Sequence, residues 1–447
     1  MTVPERSPDG GSAAARAWRR GRGLDLLLAT LAALAAAALA LDTARALGPG
    51  LTRDPADSVW FEADSPGYFA MMTDRGAFHL DTRTHPLFSL LTWPFVTAIA
   101  AVGGADRFAA ATVWLAAIGG AWGAAIYLLL RRLGTPAWGA VLFSGVALAT
   151  STARFWLGVP ETYLLGSLGI VAMLAIAAGD GGEAATTAGS AATLAVTITN
   201  WTAGWVATFL RFPLRRALRI TAVAFVAVTL LWAVEKAIFP TAEFFVTDWH
   251  EGEYILDRDA LGPGAIARSF FVHAAVAPEH GRVDRYKWSH LTLTTQGSAL
   301  GSGGAWGVVA TVCWLLLLAA GAARLARREG RTRARIVLLA ALAAQFAFHL
   351  LFGEETFLYA PHWLPMLVAV AALGLETRMR RWVAAAAIVF VVSAAIDNQR
   401  RFAIAVGELR AFVAALPPES AHRQRAPHRH RAPQASDDDG AVGAPPR

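Results

Sequence analysis

The chain has 447 residues, of which 55% are hydrophobic and only 16% are charged, and its mean hydropathy is +0.43. A soluble protein of this length would carry more charge, so the composition excludes an ordinary soluble domain and indicates a polytopic membrane protein. The net charge of +7 does not indicate nucleic-acid binding, because the arginines lie mostly in short clusters between apolar runs, and the single cysteine, Cys313, excludes an internal disulfide or a cysteine-based metal site.

The chain begins with a basic segment, residues 1–23, that leads into an apolar run from Leu24 to Leu41. No clear cleavage site interrupts this alanine-rich run, so we interpret it as a retained signal anchor rather than a removed signal peptide. The basic segment then lies in the cytoplasm, and the first span, at about 24–42, runs outward.

An acidic and aromatic loop, residues 43–84, follows the first span and is predicted to be extracytoplasmic. The next apolar run, 86–104, contains Pro86 and Pro94 and leads directly into another apolar run. If 86–104 lies along the membrane surface instead of crossing, Arg131, Arg132 and every later arginine cluster before Asp397 face the cytoplasm. We therefore predict that residues 43–106 lie wholly outside, as the first outer loop of a transmembrane module, residues 24–240.

The later apolar runs predict an all-α polytopic membrane protein with about eleven transmembrane helices and extracytoplasmic juxtamembrane helices. The runs at 186–199 and 201–214 are short, which predicts two half-length helices that meet at Thr199-Asn200-Trp201. The predicted spans after the first are 107–130, 136–152, 161–178, 186–199, 201–214, 217–239, 303–322, 336–352, 358–375 and 382–397.

The C-terminal half divides into a charged and aromatic extracytoplasmic loop at 241–302, transmembrane helices at 303–397, and a polar tail at 398–447. Within the tail, residues 400–416 predict a surface amphipathic helix, and residues 417–447 have the composition of a disordered segment. The loop contains Asp257-Arg258-Asp259 and a segment from Arg282 to His290, either a lid over an acceptor or a solvated loop.

Four polar elements are predicted at the same, outer face of the membrane, where they could line one cavity: the loop 43–84, the turn 153–161, the loop 240–302 and the turn 353–363. Ionisable groups held at a membrane surface are natural candidates for chemistry.

The first two of these elements resemble the GT-C glycosyltransferases, in the branch of the protein O-mannosyltransferases and the lipid A aminoarabinose transferase. Asp64-Ser65-Pro66-Gly67-Tyr68 is similar to the acidic-x-x-x-Tyr element that follows the first span in that family, although Ser65 stands where a second acid is common. His85-Pro86-Leu87, Arg131-Arg132-Leu133-Gly134 and the pair Arg154 and Glu161 resemble further family segments. The resemblance covers residues 24–240, and the C-terminal half matches only in general layout.

This resemblance implies an integral-membrane enzyme of the plasma (inner) membrane with its active site on the extracytoplasmic face. The enzyme would move a sugar from a polyprenyl-phosphate carrier to a lipid, glycan or protein acceptor. Residues 43–106 would be the catalytic loop, with Asp64 as the general base and Glu62 as the alternative, and Arg154 would contact the phosphate. The other candidate substrate-binding residues are Tyr68, His85, Glu161, Glu354, Glu355, Tyr359 and His362.

A divalent metal is used by some relatives, and Asp64, Glu161 and Glu354 could supply oxygen ligands, but no spacing rule supports that set. The sequence contains no phosphate-binding loop of the Walker type, no HExxH and no dinucleotide-binding glycine pattern, which favours a lipid-linked donor. Two other classes stay open: a transporter, which would place charges near the bilayer midplane, and a non-catalytic scaffold or a transferase of another kind.

Overall fold

The protein is described by a computed structural model that covers residues 22–53, 57–179, 181–245, 262–285, 290–327 and 332–415. The predictions for the basic segment before Arg22, for Asp54, for Asp257-Arg258-Asp259 and for the tail after Ala415 lie outside these residues. So does part of the predicted lid between Arg282 and His290.

Helices make up most of the described chain, with one antiparallel hairpin between β1 and β2 whose register pairs Gly281 with Thr294. The helices and strands are α1 Arg22–Leu47, α2 Ser65–Thr73, α3 Phe88–Gly103, α4 Arg107–Arg132, α5 Ala137–Ala149, α6 Ser151–Trp156, α7 Tyr163–Ala178, α8 Glu183–Val196, α9 Trp201–Phe209, α10 Leu214–Ile238, α11 Pro263–Arg268, β1 Gly281–Arg285, β2 His290–Thr294, α12 Ala305–Ala326, α13 Arg333–His349, α14 Leu364–Ala372 and α15 Arg380–Ala415. Short 3₁₀ helices lie at Pro49–Thr52, Leu80–Arg83, Ile198–Asn200, Thr356–His362 and Leu373–Glu376, and a π-helix lies at Ser269–His273.

Among the described residues, five helices are long and apolar enough to cross a membrane: α1, α4, α10, α12 and α15. A sixth span is possible if Thr356–His362 and Leu364–Glu376, which meet at an angle of 59°, are counted as one broken helix. The chain is therefore an all-α membrane protein, but the predicted count of about eleven spans is not confirmed. Helices α3, α5 and α7 are apolar but have only 16, 13 and 16 residues, and a full crossing needs about 20.

Small residues and one buried ion pair fix α1 against α4. A Cβ atom added at Gly123 would lie 2.7 Å from Ala32 O, so the two backbones approach closely, as membrane helices do at glycine positions. At one end of the pair, Asp25 accepts hydrogen bonds from Arg131 Nε at 2.6 Å and from the Tyr127 hydroxyl at 2.7 Å. This interface holds α1, the helix that leads into the acidic loop, against α4.

The predicted break between two half-length helices is present. Helix α8 ends at Val196, a 3₁₀ turn occupies Ile198–Asn200, and α9 begins at Trp201. The Asn200 side chain at this break is fully buried. Its polar atoms are satisfied by the protein, because Gln345 donates to Asn200 Oδ1 at 3.4 Å and Asn200 Nδ2 lies 3.2 Å from His362 Nε2.

The described part of the loop predicted at 241–302 packs among the helices, and its extracytoplasmic position stays a prediction. Residues of the π-helix and the following turn, from Phe270 to Ala277, are mostly buried. Side chains of other elements bond their backbone: the indole of Trp363 donates to Phe270 O at 2.9 Å, and Asn398 Nδ2 donates to Ala275 O at 3.0 Å. Irregular backbone is tolerated inside a membrane bundle when the protein satisfies it in this way.

The residues predicted to form a surface helix after the last span continue the helix of that span. Helix α15 continues from Arg380 to Ala415 as one element of 36 residues. No proline interrupts it, and the charged residues after Asp397 find partners on neighbouring segments. Arg401 donates to Ser302 O at 2.8 Å and Glu408 accepts from Arg282 Nε at 2.9 Å.

Candidate functional site

The acidic loop is shaped by a turn in unusual backbone conformations. Ser58, Phe61 and Glu62 have φ angles of 59°, 50° and 66°, in the left-handed region that non-glycine residues rarely adopt. Each such residue costs on the order of 1 kcal/mol and persists only where the surroundings hold it. Here the Trp60 indole donates to Phe155 O at 3.3 Å and the Phe61 ring is fully buried, so aromatic packing holds the turn.

Asp64 follows this turn and stands at the N-cap of α2, but its carboxylate does not cap the helix. An aspartate in this position usually accepts a hydrogen bond from the first turn. The side chain is exposed to solvent instead. The neighbouring Ser65 hydroxyl is buried and has no hydrogen-bond partner among the described residues. The Asp64 carboxylate is therefore available to an incoming group.

Glu161 is fixed directly beside Asp64. Its side chain is buried, with Oε1 accepting a hydrogen bond from the Asp64 amide at 2.8 Å and Oε2 accepting one from the Thr162 amide at 2.9 Å. Glu161 precedes α7 in a turn that contains Gly158 and Pro160. In this turn its carboxylate reaches Asp64, which lies 97 positions earlier in the chain. The structure thus brings together two of the predicted site residues.

The electrostatics of this pair raise its affinity for protons. Burial among protein atoms raises the pKa of Asp64 well above its ordinary value, and the charges of Asp57, Glu161, Asp81 and Glu62 raise it further. Burial also raises the pKa of Glu161, partly offset by its two amide donors. The Asp64 side chain is exposed, yet four other carboxyl groups lie within electrostatic reach of it. We call this group of residues, Asp57, Glu62, Asp64, Asp81 and Glu161, the acidic recess. Carboxyl groups with raised pKa values in a recess are typical of functional sites.

Aromatic and histidine side chains continue the acidic recess toward the bundle. The Tyr68 ring meets His85 edge-on at 5.6 Å, and the Tyr163 ring meets Tyr359 at 5.0 Å and His362 at 5.4 Å. Tyr163 also lies within electrostatic reach of Asp64 and Glu161. The predicted residues Tyr68, Tyr359 and His362 therefore lie in one continuous region with the two carboxyl groups.

His85 is held as a neutral side chain. It is buried, which lowers its pKa to about 4, and its Nδ1 lies 2.8 Å from Val196 O. A carbonyl oxygen only accepts, so Nδ1 carries the proton and donates, and Nε2 is left as the acceptor nitrogen. The bond ties the acidic loop to the end of α8.

Arg154 is not brought to the carboxyl groups of the acidic recess. Its guanidinium forms an ion pair with Asp42 at 2.7 Å, donates to Thr43 Oγ1 at 3.2 Å and lies 3.9 Å from the centre of the Phe402 ring. Burial lowers its pKa, and the hydrogen bond and charge of Asp42 partly restore it. The arginine joins the end of α1 to α6 and α15.

Glu355 also has a structural place. It is buried and accepts hydrogen bonds from the Thr294 hydroxyl at 2.5 Å and from the Thr295 amide and hydroxyl at 3.1 and 2.8 Å. These bonds fasten the β-hairpin to the turn before Thr356, and the predicted substrate contact of Glu355 stays a prediction. Glu354, beside it, is half-buried.

Metal binding by Asp64, Glu161 and Glu354 finds no support in the geometry. Within the described ranges, no three histidine, cysteine, aspartate or glutamate side chains gather closely enough to hold an ion. The acidic recess therefore offers its five carboxyl groups, with tyrosine hydroxyl and histidine imidazole groups nearby.

Sequence reasoning did not single out several residues of the site. Tyr163 lies two positions after Glu161, and no motif in the sequence singles it out. Asp57 and Asp81 are acidic residues of the same loop in the sequence. That their charges raise the pKa of Asp64 becomes apparent only when the fold is known. No protein-family model matches the chain, and no curated protein matches it.

Proposed function

We propose that the acidic recess is the active site of a membrane-embedded glycosyltransferase. The enzyme moves a sugar from a polyprenyl-phosphate carrier to a lipid, glycan or protein acceptor at the extracytoplasmic face of the plasma membrane. The observation that carries this proposal is the Asp64 carboxylate, exposed in the acidic recess, free of a capping bond and flanked by four other acids.

The chemistry follows from the state of that carboxylate. A carboxylate with a raised pKa accepts a proton more effectively than an ordinary aspartate does. Asp64 takes the proton of an acceptor hydroxyl as its oxygen forms a bond to the anomeric carbon of the sugar. The bond from that carbon to the carrier phosphate breaks, and the lipid phosphate leaves with the bonding electrons. Glu62, half-buried on the same turn, is the alternative base.

Partners for the departing phosphate come from neutral donors in this arrangement. The hydroxyl groups of Tyr68, Tyr163 and Tyr359 border the same region as the carboxyl groups. Hydrogen-bond donors aimed at developing negative charge stabilise it strongly where water is excluded. Arg154, engaged by Asp42, acts here by holding the end of α1 rather than by gripping the phosphate.

Glu161 is a positioning residue in this mechanism. Its carboxyl group accepts the amide hydrogen of Asp64 at 2.8 Å and so fixes the backbone that carries the base. Its charge also raises the proton affinity of Asp64.

The direct test uses purified protein and a panel of radiolabelled polyprenyl-phosphate sugars, with transfer to lipid or peptide acceptors and hydrolysis as readouts. We expect wild-type protein to release the labelled sugar from one carrier class. Complete inactivity with every donor, in protein shown to be folded, would count against the proposal.

A transporter is the second candidate, favoured by one observation. Asn200, Gln345 and His362 form a buried polar network at the break between α8 and α9, and broken helices with buried polar groups are typical of transporter sites. Protein reconstituted in vesicles distinguishes the two functions: a transporter accumulates solute without consuming a lipid-linked sugar.

A further inference from the structure

A groove of about 580 Å³ lies between the end of α10 and the middle of α3, apart from the acidic recess. The groove exists because Ala233 and Ala237 have small side chains. They lie one helical turn apart on the same face of α10. The groove is lined by Arg75, Trp93, Ala233, Val234, Ala237 and Ile238.

Hydrogen bonds across the groove fix its walls. Arg75 Nε donates to Ile238 O at 2.9 Å, which places the arginine at the C-terminal end of α10. The Ser89 amide donates to Glu235 Oε1 at 3.2 Å and joins α3 to α10. The shape of the groove is therefore set by the protein and does not depend on an occupant.

The outer side of α10 is the side that a membrane would cover. The helix is apolar enough to cross a bilayer, and its exposed side chains include Val226, Leu230 and Val234, which are 54, 65 and 48% exposed. The groove continues this surface and ends at one exposed cation, Arg75. A guanidinium binds phosphate oxygens with two hydrogen bonds, and tryptophan favours the interface between headgroups and acyl chains.

We propose that this groove holds one anionic bilayer phospholipid, with an acyl chain along Ala233 and Ala237 against Trp93 and its phosphate at Arg75. The charge at the end of the groove selects the anionic headgroup, and the apolar walls accept the chain.

A donor lipid is a poorer fit to the groove than a bilayer lipid. Helix α2 separates Arg75 from Asp64 with nine residues, a length of about 13 Å at 1.5 Å per residue. The phosphate of a sugar donor must lie beside the sugar that reacts, and this span is too long for that.

Native mass spectrometry of the full chain in phosphatidylcholine-containing micelles, titrated with phosphatidylglycerol, tests the proposal. We expect wild-type protein to retain one phosphatidylglycerol in preference to phosphatidylcholine. Arg75→Gln should lower the affinity for phosphatidylglycerol about tenfold, because a charge-assisted pair is lost. It should change phosphatidylcholine binding much less, because loss of the wall contact to Ile238 O would weaken the binding of both lipids alike. Ala237→Trp should weaken the binding of both lipids by filling the groove.

Arg107→Gln is the matched control. Arg107 is an exposed arginine on the neighbouring surface, 3.6 Å from Asp74, and does not line the groove. Its removal should leave lipid binding unchanged. Equal binding of both lipids by wild-type protein, or equal affinity in Arg75→Gln, would overturn the proposal. Competition by a polyprenyl phosphate that Arg75→Gln abolishes would overturn the assignment to a bilayer lipid. If Ala237→Trp does not fold, Arg75→Gln, which changes an exposed side chain, decides alone.

Discussion

Replacing Asp64 by asparagine separates chemistry from stability. Asparagine keeps the size of aspartate but cannot take a proton from an acceptor hydroxyl. General-base catalysis is worth about 10²- to 10⁴-fold, so we expect Asp64→Asn to lower the rate of sugar transfer by at least that range, about 3–5 kcal/mol of activation free energy. The loss should fall on kcat, with donor binding nearly unchanged.

Stability should not follow activity in this variant. The Asp64 side chain is exposed and makes no capping bond, so its replacement removes no contact that holds α2. Surface changes of this kind alter the free energy of unfolding by about 0.5 kcal/mol or less, and the loss of one charge from five neighbouring acids favours the folded state. We therefore expect a melting temperature equal to or slightly above that of wild type.

Asp74→Asn is the control in the same loop. Asp74 is exposed, accepts from the Gly76 amide at 2.8 Å and pairs loosely with Arg107, and asparagine can still accept the amide. This variant should keep full activity. If Glu62→Gln abolishes transfer and Asp64→Asn does not, Glu62 is the base. Normal activity in both variants would refute a catalytic acidic loop.

Three further outcomes are expected. Since the pKa of Glu161 is raised in the folded protein, wild-type protein should lose stability as the pH rises from about 5 through that raised pKa, and thermal melts of Glu161→Gln should show a flatter pH dependence. Arg154→Ala should lower the free energy of unfolding by roughly 1–2 kcal/mol, measured in denaturant, because contacts with Asp42 and a ring are lost; Arg154→Lys should recover only part of it. A cysteine placed at Gly104, with Cys313 replaced, should be labelled from the outside, and labelling only from the cytoplasmic side would make α3 a true span.

The apolar runs located the long helices well, because hydropathy measures how readily a segment enters the hydrocarbon core of a bilayer. Helix ends depend on capping and tertiary hydrogen bonds, which a hydropathy profile does not contain. The predicted span 136–152 is split at Thr150, whose extended backbone ends α5 and whose side chain caps α6. The buried passage of 270–277 could not be predicted either, since its backbone is satisfied by Trp363 and Asn398, about 93 and 123 positions away along the chain.

Part of the site was visible in the sequence. The spacing from Asp64 to Tyr68 and the acid at Glu161 identified residues that the fold brings together. Arg154 and Glu355 were selected for their charge at a predicted membrane surface, and the structure gives both of them anchoring partners. A charged residue at a predicted membrane surface is a candidate for a specific role. The sequence does not show whether it contacts a ligand, forms a buried ion pair or holds two segments of the chain together.

Several features that lower the stability of the folded protein occur together in one short segment. Their position supports a functional role for that segment. Residues 57–64 hold three non-glycine residues at positive φ, an uncapped N-cap aspartate and several repelling carboxyl groups. Each feature costs stability, and local rules are broken together mainly where a protein needs a defined arrangement of reactive groups. The cost is offset by the packing of Trp60 and Phe61 against Phe155, whose ring centres lie 5.7 and 5.6 Å away. A loop with only a structural task would gain nothing from carboxyl groups whose charges act on one another, and a solvated loop would not need buried aromatic anchors. This combination supports the proposal that the packing of Trp60 and Phe61 holds Asp64 in place for catalysis.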